Sequence, residues 1–409
     1  MNLVPLDTES IRIGHPLPFS LRGEDGTLLA QKGFVLLSRE YLNAMLGRGA
    51  NLYIDVAESE AHHRAYMGKL HNLIREDKPL GKIADTHLSS GDLDANRGDG
   101  GDGTPDWLDL QVQANAFLRD GNPAQFLLRL EKVQTQLNRH SNRNPDGTLF
   151  ALIHLSASEL RLYSATHAML VSVMCGLAAR EVLGWNPEDE AMACKAALTM
   201  NIGMTELQDR LASQMEPPSA AQRKRIDEHA ALSVAMLQQM GVTDPDWLEA
   251  VRLHHANVPG KLSERTKGQR YARLIQRADM FAARLAPRAA RVPTSPAAAM
   301  QAIYFDEARQ IDEAGAALIK AVGVYQPGSF VRLATNEIAV VIRRGGNTTT
   351  PRVAILINRQ GMPTGEHITR DTGQRDFRIV ASVAHREVKV KINLERLLGL
   401  TSVASDRPW

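Results

Sequence analysis

Cysteine is almost absent from this chain: Cys175 and Cys194 are the only two. That excludes a disulfide-stapled scaffold and leaves free thiols in a reducing compartment as the expectation. Long apolar runs are missing too. The longest, residues 168–179, has 12 residues and includes Ser172, well short of the roughly 20 that a membrane-spanning helix needs. The first ten residues carry Asp7 and Glu9 and no apolar stretch, so no secretory leader and a cytoplasmic location are expected. Neither charge dominates, with 48 basic against 46 acidic residues, so any anion-binding surface must be local. What the chain does have is 44% hydrophobic residues over 409 positions, enough for a large core and two or three domains.

The first 75 residues read as a small α+β module. Short strands at 11–13, 17–21, 27–29 and 52–54 surround the turn Glu24-Asp25-Gly26 and a helix capped by Ser38. His62, His63 and His71 come after it on a polar helix and read as solvated. Residues 76–106 interleave glycine with Asp92, Asp94, Asp99 and Asp102. Such a segment buries too little apolar surface to order itself, so it reads as a flexible linker. Residues 107–324 show helical periodicity, with the Asn144-Pro145-Asp146-Gly147 turn separating a helical connector from the main helical domain. From 325 to 409 the pattern is β-rich, with strands at 329–333, 337–342, 352–357 and 388–392 and a turn at Gly345-Gly346.

Within the helical region, imidazoles fall on inward stripes. Ser156-Ala157-Ser158-Glu159 is a capping-box pattern for a helix whose apolar stripe includes Leu160, Tyr163 and His167. Ser219 and Gln222 form another, ahead of Ile226, His229 and Ser233. Asp244-Pro245 starts a third helix, whose stripe of Trp247, Leu248 and Val251 ends in His254 and His255. Asp279 lies at the edge of a fourth stripe built from Tyr271, Leu274, Ile275, Ala278 and Phe281. A single histidine on such a stripe is more often a hydrogen-bonded core residue than a ligand. Four on three helices, with a carboxylate on another, suit Zn²⁺, Fe or Mn²⁺.

Residues 261–291 carry nine basic side chains, among them Arg273, Arg277, Arg288 and Arg291, against Glu264 and Asp279, a local balance of +7. Arginine forks bind phosphate bidentately, so this stretch suits a phosphorylated ligand. Tyr271 and Phe281 are its only aromatics, too few to expect sequence-specific nucleic-acid binding.

On these residues, the region from about 156 to 324 resembles the HD-GYP family, metal-dependent phosphohydrolases that hydrolyse cyclic di-GMP. The resemblance is carried by the order His167, the Ala-Leu-Thr-Met-Asn-Ile-Gly stretch at 197–203, His229, His254-His255 and Asp279. Ala272-Arg273-Leu274 and Ala278-Asp279-Met280-Phe281 are similar to the family's helix around its last Asp. Arg288 and Arg291 fall where it keeps downstream arginines, and residues 325–333 are similar to the β extension of many members. The departures are specific. Met200 and Asn201 stand where the family has its His-Asp pair, Met204 stands in place of a Lys, and no Gly-Tyr-Pro comes after His255. Tyr163 sits where some members place a further carboxylate ligand.

The resemblance implies a mainly α fold, an HD-GYP-like bundle between the small N-terminal module and the β-rich extension. It implies a metal set of His167, His229, His254, His255 and Asp279, with Arg273, Arg288 and Arg291 on the substrate side. Without the anionic bridge, the expectation is at most one weakly held divalent metal (Fe, Mn or Zn) on the three-histidine side, and slow or absent hydrolysis. Three readings are open: a catalytically impaired signalling protein that binds cyclic di-GMP, another phosphorylated small molecule or a protein partner; a working phosphodiesterase with altered ligation; and a homodimeric scaffold. None calls for a membrane.

Overall fold

Two compact units divide the chain, Met1–Thr104 and Pro105–Trp409. The computed structural model describes residues 3–6, 11, 17, 20–23, 25–30, 34, 52–55, 107–119, 121–158, 162–286, 296–365, 368–390 and 392–402. The helix expected after Ser38, the histidines at 62, 63 and 71, the linker at 76–106, and Arg288 and Arg291 lie outside them.

In the first unit, β1 (Leu3–Leu6), β2 (Leu21–Arg22), β3 (Leu28–Ala30) and β4 (Leu52–Asp55) form an antiparallel sheet in the order β1-β4-β2-β3. The expected turn before β3 is present. Thr27 N–H donates to Asp25 Oδ1 at 2.9 Å, and Gly26 supplies a φ of +82° that a side chain would resist. β1 has no counterpart among the expected strands, because Pro5 in its middle hides the pattern.

The second unit is mainly helical. Its helices are α1 (Trp107–Arg119), α2 (Pro123–Arg143), α3 (Pro145–Ser158), α4 (Tyr163–Glu181), α5 (Pro187–Thr199), α6 (Thr205–Ser213), α7 (Ala220–Gln239), α8 (Pro245–Leu253), α9 (Lys267–Leu285), α10 (Pro296–Tyr304) and α11 (Glu313–Val322). Among the described residues no helix is long and apolar enough to cross a membrane. Asn186-Pro187 in the sequence predicts a further helix start, and the expected starts of α5, α7 and α8 all hold. Asn186 caps Asp189 N, Ser219 and Gln222 close a reciprocal box, and Asp244 accepts from Trp247 N.

Two helix boundaries differ from expectation. Pro145 opens α3 in place of the expected turn, with Asn144 Oδ1 accepting from Gly147 N. Ser156 and Ser158 then finish α3 instead of opening α4, and Ser156 Oγ donates to Ile153 O at 2.9 Å. The first turn of α4 is capped from outside its own sequence: Ser164 N–H donates to Asp209 Oδ1 of α6 at 2.7 Å. A cap borrowed across the fold leaves no local signal.

α4 is the hub. From Tyr163 to Ala179 every residue on it is buried, as befits a helix apolar on all sides. Its small residues let neighbours approach closely, and α3, α5, α9 and α11 pack around it.

The chain ends in a five-stranded antiparallel sheet of β5 (Phe330–Leu333), β6 (Ile338–Arg343), β7 (Arg352–Ile357), β8 (Thr369–Asp371) and β9 (Ile379–Val383), ordered β8-β7-β6-β5-β9, with α12 (Leu394–Gly399) after it. Alternation divides its apolar residues between two faces. Phe330, Val340, Ile342, Ala354 and Leu356 cluster with Phe150 of α3, while Val331, Ala339, Val341, Val353 and Ile355 form a second cluster with Tyr325 and Phe377. Among the described residues of the expected strand at 388–392, none is in a strand. Val388 and Ile392 are instead used as partly buried cover for the Phe150 cluster. β8 and β9, short and mostly polar or exposed, have no counterpart among the expected strands.

Candidate functional site

Four helices bring the predicted ligands together. His229 projects from the middle of α7, His254 caps the end of α8, His255 comes next, and His167 and Asp279 face each other from α4 and α9. Local chemistry fixes these positions. Trp247 Nε1–H donates to Thr199 Oγ1 at 2.9 Å, tying α8 to the end of α5 just before Met200 and Asn201. Next along the chain, the 3-10 turn Ile202–Met204 packs on α7 at Gly203. A Cβ there would stand 2.8 Å from Ser233 N and 3.0 Å from His229 O. Only glycine permits that approach, which holds the turn against the helix carrying His229.

His229 and His254 have matching surroundings. The Nδ1 of His229 bonds Ile226 O, and the Nδ1 of His254 bonds Val251 O at 2.6 Å. A carbonyl only accepts, so both Nδ1 atoms carry the proton. Burial lowers the pKa of His229, and the nearby His255 adds to that. Burial, again with His255, brings His254 down to about 3. Both rings are therefore neutral near pH 7, with bare Nε2 lone pairs. These two Nε2 atoms lie 3.1 Å apart. Lone pairs do not hydrogen-bond each other; the spacing is that of neighbouring ligands on one cation with Zn–N bonds of about 2.0–2.1 Å. The main-chain acceptor behind each Nδ1 is the support that orients metal-ligating histidines. One ligand atom from each of His229, His254 and His255 falls within 4.8 Å of the others.

His255 departs from the expected buried stripe. α8 ends at Leu253, so the His255 side chain leaves the helical face and is exposed, its ring centroid 4.1 Å from that of His254. It forms the solvent side of the cluster.

The other half is closed on itself. His167 Nε2–H donates to Asp279 Oδ1 at 2.6 Å, and Tyr163 stacks on the imidazole with a centroid separation of 5.6 Å. Burial pushes the Asp279 carboxyl up, but the His167 hydrogen bond and charge, with His255 and His254, outweigh it and hold it far below the ordinary carboxylate range. Met200 is fully buried in the helical core. Asn201 is buried as well, and its Oδ1 has no hydrogen-bond partner among the described residues. Met204 is half-buried at the start of α6.

Three residues of the basic stretch, Lys267, Arg273 and Arg277, are matched by acids from elsewhere in the fold, and others turn to main-chain carbonyls or a ring. Lys267 pairs with Asp189 at 2.8 Å, Arg265 donates to Val258 O and Gly260 O, and Arg270 lies over the Trp185 ring. Arg273, a substrate contact on the sequence resemblance, is buried and forks onto Glu307, with Asp312 on its other side. Arg277 shares both carboxylates. The sequence does not single out Glu307 or Asp312. The i, i+4 spacing of Arg273 and Arg277 is the one local signal that both guanidiniums need partners on the same side of α9.

No family model matches the chain, and no curated protein matches it. Among solved structures, the chain is similar to an HDG"Y"P protein from Bdellovibrio bacteriovorus, at 15% identity and a TM-score of 0.41, over 78% of this chain and 98% of that one.

Proposed function

We propose that this chain is a degenerate HD-GYP-type protein of cyclic di-GMP signalling. It holds one divalent cation (Fe, Mn or Zn) on His229, His254 and His255 and acts by binding cyclic di-GMP or another phosphorylated small molecule. The observation that carries this reading is the pair of neutral imidazoles whose Nε2 lone pairs converge at 3.1 Å. A bound cation supplies Lewis-acid polarisation of a phosphoryl oxygen. His229 and His254 are the fixed donors, and His255, on the solvent side, leaves the ligand an approach. Turnover is impaired because Met200 is buried in the core and Asn201 is neutral, so neither provides the anion that bridges two metals. His167 and Asp279 satisfy each other as a pair. Arg273 reaches a phosphate only by releasing Glu307, and Arg288 and Arg291 stand with it as the substrate-side arginines that the resemblance implies.

One observation favours a second reading, a working phosphodiesterase with altered ligation: the buried Asn201 Oδ1 lacks a partner among the described residues and is a free carbonyl donor to a metal. Elemental analysis separates the two, combined with cyclic di-GMP calorimetry and turnover under Mn²⁺ or Fe²⁺. The proposed reading gives one cation per chain, binding heat, and turnover that appears only in the Met200→His/Asn201→Asp double variant. Two tightly held cations per chain, or appreciable wild-type turnover, would overturn it.

A further inference from the structure

On α9, two guanidiniums with side chains only 4% and 2% exposed, Arg273 and Arg277, share one exposed carboxylate. One of their two carboxylates belongs to the interior. Asp312, 6% exposed, caps α11 through Gly315 N and accepts from Arg273 Nε at 2.7 Å. The other comes from outside. Glu307, 43% exposed, meets Arg273 through two parallel bonds, Nη1 to Oε1 at 3.1 Å and Nη2 to Oε2 at 2.9 Å, and meets Arg277 Nη2 at 3.2 Å.

Glu307 sits on the turn between α10 and α11. The turn is braced internally: Asp306 Oδ1 accepts from Ala308 N and Gln310 N, and Phe305 pairs with Ile311 in an isolated bridge. The tip therefore keeps its shape without the ion pair, and Glu307 is a removable contact between it and α9.

Donors exceed acceptors here. Two guanidiniums present ten N–H groups. Arg277 Nε is buried with no partner, and Arg277 Nη1 meets only the Met280 thioether at 3.8 Å. A planar carboxylate offers two oxygens, whereas a phosphate offers three or four. With Glu307 withdrawn, two buried positive charges face the single carboxylate of Asp312, and a buried charge without a counterion is costly.

We propose that Arg273 and Arg277 form an oxyanion site whose internal occupant, the Glu307 carboxylate, is exchangeable for a phosphate group. Glu307 acts as an intramolecular competitor that keeps the site closed until a phosphate-bearing ligand displaces it. Gln276 accepts from Arg273 and donates to Ala256 O, next to His255 in the segment carrying the histidines. The proposal does not depend on a cation at those histidines.

The test uses the full chain in EDTA, titrated with inorganic phosphate at constant ionic strength. Glu307→Gln, a change at an exposed turn, removes the competing charge and is expected to tighten phosphate binding by about tenfold or more. Adding Arg277→Met abolishes the gain. In Glu307→Gln protein, the arginine Nε–H NMR signals of Arg273 and Arg277 shift on phosphate addition, a readout that does not require the double variant to fold. Unchanged phosphate affinity in Glu307→Gln, a gain that survives Arg277→Met, or arginine signals that ignore phosphate would each overturn the proposal.

Discussion

His229–His254 and His167–Asp279 are both close polar pairs inside one helical bundle, yet they present opposite chemistry. In the first, each Nδ1 is bound to a carbonyl of its own chain turn, so both Nε2 lone pairs face the same point. In the second, the imidazole gives its Nε2–H to a carboxylate, and the pair is satisfied. Whether a buried histidine is a ligand or a structural donor is thus decided by what its other atoms touch, not by its place on an apolar stripe.

The largest expected effect breaks the first pair. His254→Gln should cut divalent metal affinity by about a hundredfold or more, with His229→Gln close behind. The exposed His255→Gln should cost only about tenfold. Competition with a chromophoric chelator measures all three, and equal losses would erase the distinction between buried and exposed ligands. His167→Ala should leave cation binding at the three histidines in place but lower stability by about 3 kcal/mol, because the Asp279 carboxylate loses its hydrogen-bond donor. Urea unfolding checks this, and metal loss without destabilisation would reverse the roles assigned to the two halves.

A further imidazole, His385 against Phe330 and under the influence of His154 on α3, serves as a control at the helix–sheet junction. Burial, helped by His154 and opposed by a hydrogen bond to the Gly328 main chain, holds His385 down to about 4. A histidine in the unfolded chain titrates near 6.5. The unfolded state therefore takes up its proton first, and stability falls as pH drops from about 6.5 toward 4, by about 3 kcal/mol, with no contribution from this group above that window. Urea unfolding between about pH 7 and 4.5 measures the slope, which His385→Asn should flatten. An unchanged slope would show that other groups carry the acid sensitivity.

Much of this was legible locally. Asn186-Pro187, the Ser219/Gln222 box and Asp244-Pro245 fix helix starts through bonds made within one turn, so the sequence alone places α5, α7 and α8. The same local periodicity places His167, His229 and His254 on inward faces. Ser156-Ala157-Ser158-Glu159 misleads because α4 takes its cap from Asp209, a residue 45 positions from Ser164. Val388 and Ile392 mislead because alternating apolar residues can cover a core without pairing as a strand.

The sequence by itself determined the mainly helical body, the β-rich end and the residues able to ligate, since periodicity, caps and residue chemistry act over a few positions. Tertiary structure decided the pairing. It set His229 Nε2 on His254 Nε2, gave His167 to Asp279, turned His255 outward and matched Arg273 and Arg277 with Glu307 and Asp312. The pairings join segments 25 or more positions apart in the chain, and burial magnifies the cost of leaving any such group unmatched, so packing rather than local spacing selects each partner.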